Sequence, residues 1–132
     1  MVEKSEIVGF VGRRKTAVAR VYLTNGKGII TVNGCPYDKF FSFFTIKDKI
    51  LKSFIVTDCL NKYDAIINVR GGGINAQAEA ICLGLARCLA SINASYKSIL
   101  SSFGLLTRDD RAVESKKAGK KKARKSFQFC KR

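Results

Sequence analysis

Two short stretches carry the residue types and spacing that hold phosphate. Arg13-Arg14-Lys15 follows Gly12 and sets three cations in a row, and Arg70-Gly71-Gly72-Gly73 closes an apolar run with a cation and three glycines. Glycines at the start of a helix let a ligand approach the backbone, and first-turn N–H groups favour an anion there. The glycine run is neither the dinucleotide fingerprint nor a Walker loop, which needs a Gly-Lys-Ser/Thr ending. It reads as a tight turn that also holds a nucleic-acid phosphate, with a small-phosphate enzyme site as the alternative. In a strand, Arg13 and Lys15 share one face and Arg14 takes the other, so all three cannot serve one flat surface. Phosphate contact is favoured over a solvated charge run.

Catalysis finds little support. Without histidine, neither a Ser-His nor a Cys-His nucleophile system is available. Asp109 and Asp110 are adjacent, but their basic neighbours make them ion-pair partners rather than an acid/base dyad. Cys35, Cys59, Cys82, Cys88 and Cys130 contain no C-x-x-C pair, so they read as reduced, unpaired thiols and not as a metal site. No cofactor is expected, and no enzyme.

The formal net charge of +15 over 132 residues points to a polyanionic partner, nucleic acid before an anionic membrane surface. Residues 108–132 hold eleven of the 25 basic residues and three of the ten acidic ones. This segment has no apolar period. Thr107 with Asp110 offers a cap for a brief helical turn. Beyond it, Lys117/Lys121, Lys120/Arg124 and Lys121/Lys125 would set like charges four apart in a helix, so the segment should be disordered when free. Phe127 and Phe129 flank Gln128 and point the same way in an extended chain, where they would stack on bases or dock on the protein itself.

These residues need elements to position them. "KTAVARVYL" alternates, with Ala17, Ala19, Val21 and Leu23 inward and Val18, Arg20 and Tyr22 outward. "TNGKG" supplies turn chemistry and "IITV" a second strand, which predicts a hairpin; "EIVGFVG" adds a possible third strand. "DKFFSFF" belongs at the core edge, with a base-stacking platform as the alternative reading. Ile46, Ile50, Leu51 and Phe54 have helical spacing. "YDAIINVRGGG" reads as a mostly buried strand, and from Ile74 a stripe of Ala78, Ile81, Leu85, Cys88 or Leu89, and Ile92 makes a long helix, with Gln77, Glu79 and Arg87 off it. "SYKSILSSFG" adds a short helix stopped near Gly104. The body is therefore α/β, one layer of helices on a mixed sheet. No apolar run reaches membrane-spanning length, and the N-terminus, with Glu3 and Glu6, lacks a signal-peptide core, so a reducing, cytosolic setting is expected.

Four stretches occur in an order that resembles a known family: "GRRKTAVARVYL", "ITVNG", "VRGGGINAQAEAICLGLARCL" and "GLLTRDDRAVESKKAGKKKARKSFQFCKR". Together they resemble the ninth protein of the small ribosomal subunit in its bacterial form, over nearly the whole chain and least between Cys35 and Lys62. The resemblance implies an α+β fold, a small two-layer domain with a mixed sheet and a left-handed βαβ crossover, against the usual right-handed rule. It implies a globular body over 1–106 and an extended basic tail over 107–132. The implied role is a structural component of the small-subunit head, cytoplasmic or in an organelle ribosome. Its implied partners are 16S-type ribosomal RNA, P-site tRNA and neighbouring head proteins, with no membrane. The rival reading is a nonspecific polyanion binder. Carried over by position, Arg13, Arg14, Lys15, Arg70, Gly71, Gly72 and Gly73 approach ribosomal RNA, joined by Gln77 and Arg87 on the helix. Arg108, Arg111, Lys116, Lys117, Lys120, Lys121, Lys122, Arg124 and Lys125 line a threaded segment, with Phe127 and Phe129 also on RNA. Lys131 and Arg132 reach tRNA phosphate. The chain departs from the family at Ala76, usually glycine, at Cys82, often basic, and at Cys130, usually serine.

Overall fold

The computed structural model describes residues 7–128, which form an α+β domain with a five-stranded mixed sheet and four helices. In chain order these are β1 (Val8–Arg14), β2 (Ala17–Asn25), β3 (Ile30–Val32), β4 (Cys35–Pro36), α1 (Tyr37–Phe40) and α2 (Phe44–Val56). β5 (Tyr63–Arg70), α3 (Ile74–Ile92) and α4 (Ala94–Ser102) complete it. The strand order is β1-β2-β5-β3-β4, with β3 parallel to β5 and the other neighbours antiparallel.

The hairpin expected between β2 and β3 does not form. β5 lies between them, antiparallel to β2 from Val18 opposite Arg70 to Asn25 opposite Tyr63, and the true hairpin is β1 with β2. The reason is local and then global. Asn25-Gly26 does not close a tight turn; the chain instead crosses the end of β5, where Asp64 Oδ1 accepts the backbone N–H groups of Lys27, Gly28 and Ile29 at 2.9, 3.0 and 2.9 Å. One carboxylate oxygen satisfies donors that a hairpin ladder would otherwise take. β5 also matches the length of β2, whereas the three residues of β3 could pair with only a third of it.

These three donors, that of Ile29 foremost, hold the Asp64 carboxyl below its ordinary value of 3.8. A carboxyl depressed in the folded state stabilises the fold above its unfolded pKa, and that contribution fades as pH falls through the folded value. Asp64→Asn is therefore expected to cost about 1–2 kcal/mol at neutral pH. Urea unfolding should show the gap between the two proteins narrowing below about pH 4. A gap of the same size at pH 3 would contradict this role.

The helices cover one face of the sheet. Ala17, Ala19, Val21 and Leu23 of β2 and Ala65, Ile67 and Val69 of β5 are buried on that face. β5 is thus half-buried rather than mostly buried: Ile66 is 56% exposed and Asn68 and Arg70 are exposed on the other side. α3 packs on β1 and β2 and is flanked by α2 and α4, so it is buried around most of its girth. Only the ends of its expected stripe, Ile74 and Ile92, emerge. α3 crosses β1 where Gly12 faces Gly84: a methyl at Gly12 would overlap the Ala80 carbonyl and crowd the Gly84 amide. Ile46, Ile50 and Phe54 of α2 face the core as their spacing requires. The phenylalanine cluster divides. Phe41 is buried and meets Phe40 edge-on at 4.8 Å, whereas Phe43 and Phe44 are exposed.

After α4, Leu105 N–H returns to the Leu100 carbonyl at 3.0 Å, and Leu105 and Leu106 pack against the core. From Thr107 to Gln128 the chain has turns and bends but neither helix nor strand. The helical turn anticipated after Thr107 is not formed; the Asp109 carboxylate instead accepts the Arg111 N–H at 3.0 Å. Among the described residues no helix is long and apolar enough to cross a membrane.

Candidate nucleic-acid interface

The two stretches expected to meet phosphate are brought together, although more than fifty residues separate them. β1 turns into β2 through Lys15 and Thr16, with Lys15 at φ +52°. β5 runs antiparallel beside β2, so its end delivers Arg70 and the glycine loop to the same place. Gly71 has φ +79°, and a methyl there would lie 2.5 Å from the Thr16 carbonyl oxygen; only glycine allows the loop to lie against this turn. Gly73 caps α3, whose first turn carries no side-chain cap.

Alternation sends the cations apart. Arg13 and Arg70 lie on either side of Val18 on the open face of the sheet, both exposed. Lys15 is outside the strand, in the turn, and exposed. Arg14 points to the helix face, where its side chain is 11% exposed. There its Nε donates to Glu79 Oε2 at 2.6 Å, its Nη1 donates to the Arg111 carbonyl at 2.7 Å, and its Nη2 lies 3.4 Å from Asp109. Arg14 therefore clasps the start of the C-terminal segment to α3. Two further expected contacts are also engaged within the protein: Gln77 donates to the Gly71 carbonyl at 3.2 Å, and Arg87 to the Val11 carbonyl at 2.6 Å. The first braces the glycine loop and the second braces β1 on α3.

The C-terminal segment leaves this cluster. Arg111, Ala112 and Val113 line a hollow with Arg14 and Lys15, so the segment starts beside the β1–β2 turn. The Arg111 guanidinium, its backbone N–H and Arg14 hold the Asp109 carboxyl far below the usual range. Glu114 pairs with Lys117 at 2.6 Å and Arg124 at 2.9 Å, which also lowers its pKa. Lys121 sits 5.6 Å from the Phe127 ring centroid. Arg108, Lys116, Lys120, Lys122 and Lys125 form no ion pair among the described residues. Of the carboxylates close to the cluster, Glu79, Asp109 and Glu114 are thus already paired and Asp110 is exposed, while most cations face outward. Phe129, Cys130, Lys131 and Arg132 lie outside the described residues.

The departures have local explanations. The Ala76 methyl packs beneath Gly72. Cys82 is half-buried beside Ser53 Oγ at 3.4 Å, and burial pushes its thiol up, so it stays neutral at the edge of the Arg13, Lys49 and Lys52 group. Cys35, Cys59, Cys82 and Cys88 are free thiols. Residues that sequence reasoning passed over lie on the open sheet face: Arg20, Tyr22 and Asn68, in register with one another or one pair apart. The outward alternation of Arg20 and Tyr22 was the available signal.

Fold and site together define a small, strongly basic α+β protein that gathers cations from a hairpin turn, a glycine loop and a C-terminal segment at one end of a sheet. The sequence pattern of ribosomal protein S9/S16 matches residues 12–132. The small ribosomal subunit protein uS9 of Amoebophilus asiaticus is 50% identical over 127 residues, covering 96% of this chain and 99% of that protein. That of Borrelia turicatae is 49% identical over 134 residues, 98% of each, and that of Cytophaga hutchinsonii is 50% identical over 127 residues. The chain belongs to the ribosomal protein S9/S16 family.

Proposed function

We propose that the chain is a structural component of the small ribosomal subunit, in the head, that binds 16S-type ribosomal RNA and reaches P-site tRNA with its last residues. The carrying observation is the convergence of Arg13, Lys15, Arg70 and the Gly71–Gly73 loop with the start of the basic segment, where Glu79, Asp109 and Glu114 are paired with cations. Such a surface presents net positive charge at short range, which is what crowded phosphates require. Residues 1–106 serve as the body and 107–132 as a tail that takes its ordered path from RNA. Arg108, Arg111 and the lysines through Lys125 line that path; Phe127 and Phe129 set its register by stacking. Arg14, Gln77 and Arg87 serve the site from behind, by holding its parts in place. Lys131 and Arg132 meet tRNA phosphate. The setting is a cytoplasmic ribosome, with other head proteins as neighbours.

The test is sedimentation of tagged protein from a lysate through a sucrose gradient, at high and then low magnesium. Comigration with the small subunit under both conditions is expected; migration as free protein in both would reject the role. Purified protein should bind a transcript of the 16S head region with log K falling against log salt at a slope of about −4, if about six cations engage phosphate. A slope near zero would exclude an electrostatic interface.

A further inference from the structure

The sheet face that the helices leave open is not a neutral surface. Three rows of paired residues cross it. Arg13, Val18 and Arg70 form the first; Val11, Arg20 and Asn68 the second; Gly9, Tyr22 and Ile66 the third. Its centre is a hollow of about 510 Å³ between Val18, Arg20, Asn33 and Arg70. Asn33 firms one wall by exchanging two 2.9 Å hydrogen bonds with the Val69 backbone. Arg20 also borders a second hollow of about 310 Å³, walled by Gly9, Val11 and Tyr22. Tyr22, 39% exposed, leans over Gly9, where a methyl would sit 3.0 Å from its ring carbons Cδ1 and Cε1. The missing side chain at position 9 leaves the ring an uncrowded seat on the sheet.

The charge on this face has one sign. Arg13, Arg20 and Arg70 are exposed and form no ion pair among the described residues. Among the described residues its only acid, Asp64, lies at the far end with Oδ1 occupied by three backbone donors. A face with three guanidinium groups, an aromatic ring and apolar Val18 and Ile66 is complementary to a chain that offers phosphates and exposed base faces together. A duplex offers the phosphates only, because its bases are stacked inside; unpaired RNA offers both. An acidic protein segment would match the charge but would leave the seated ring and the polar hollow without a specific partner.

We propose that the open sheet face binds an unpaired segment of RNA, one base stacking on Tyr22 and the flanking phosphates held by Arg20 and Arg70. This rests on the RNA-binding role proposed above and adds a second contact surface to the turn, loop and tail.

Full-length protein carrying Tyr22→Leu or Arg20→Gln would be compared with the parent in low salt, against a labelled single-stranded ten-nucleotide RNA and a blunt RNA duplex. Each variant is expected to weaken the single strand about tenfold and the duplex less than about twofold. Both side chains are exposed, and matching melting curves would confirm the fold. If the parent binds both RNAs and neither variant changes single-strand affinity, the sheet-face proposal falls while the RNA role stands. If the parent binds neither RNA, both fall together. In small subunits, Tyr22→p-benzoylphenylalanine should photocrosslink to RNA; an adduct with protein alone would assign the face to a protein neighbour and overturn the proposal.

Discussion

Gly12→Val is expected to yield little folded protein. β1 and α3 approach at this point until backbone meets backbone, with Gly12 against the Ala80 carbonyl and the Gly84 amide. A side chain there cannot be accommodated by turning a rotamer, because the atoms it meets belong to a helix buried on most of its surface. Overpacking typically costs 1–3 kcal/mol, and a clash with backbone belongs at or above the top of that range, so about 3 kcal/mol or more is expected. The damage would spread to the site, since β1 carries Arg13 and Arg14 and is braced to α3 through Arg87. Gly73→Ala is the control. A methyl there meets nothing within 4 Å, so the cost should stay under about 1 kcal/mol. Thermal unfolding of both variants decides the matter; near-equal melting would mean that the crossing is looser than its geometry.

The second large effect concerns the tail. Replacing Lys116, Lys120, Lys122 and Lys125 with glutamine should leave thermal stability unchanged, because among the described residues none of the four pairs with a carboxylate. RNA binding should suffer heavily. With four of about six phosphate contacts gone, the salt slope should flatten from about −4 to about −1. An unchanged slope would place the binding on the body alone. Alanine at Lys131 and Arg132 should act differently: subunits should assemble, and P-site tRNA should bind them more weakly. A collapse of assembly would contradict that division of labour between the tail and its end.

Much of this was legible in order along the chain. The alternation in "KTAVARVYL" correctly assigned the buried and outward residues of β2, and the helical period correctly placed α2 and α3, because amphipathic spacing is a one-dimensional record of which side meets the core. The glycines of the 71–73 loop and the density of charge after Thr107 were equally plain. The connection after Asn25 misled, because turn chemistry says only that the chain can reverse there, not which strand will be its neighbour.

Composition and spacing by themselves determined that this chain would be basic, mixed in helix and strand with one layer of helices on a mixed sheet, and without a histidine-based nucleophile. Charge and periodicity are local properties, and they survive any arrangement of the elements. Tertiary structure alone decided that β5 enters beside β2, that the Arg13–Lys15 turn meets the Arg70–Gly73 loop, and that Arg14 clasps the tail while Arg13 is exposed on the open sheet face. Those outcomes depend on which strands pair and which face the helices cover. They are settled by burying one face of one sheet, a choice made by the whole chain at once.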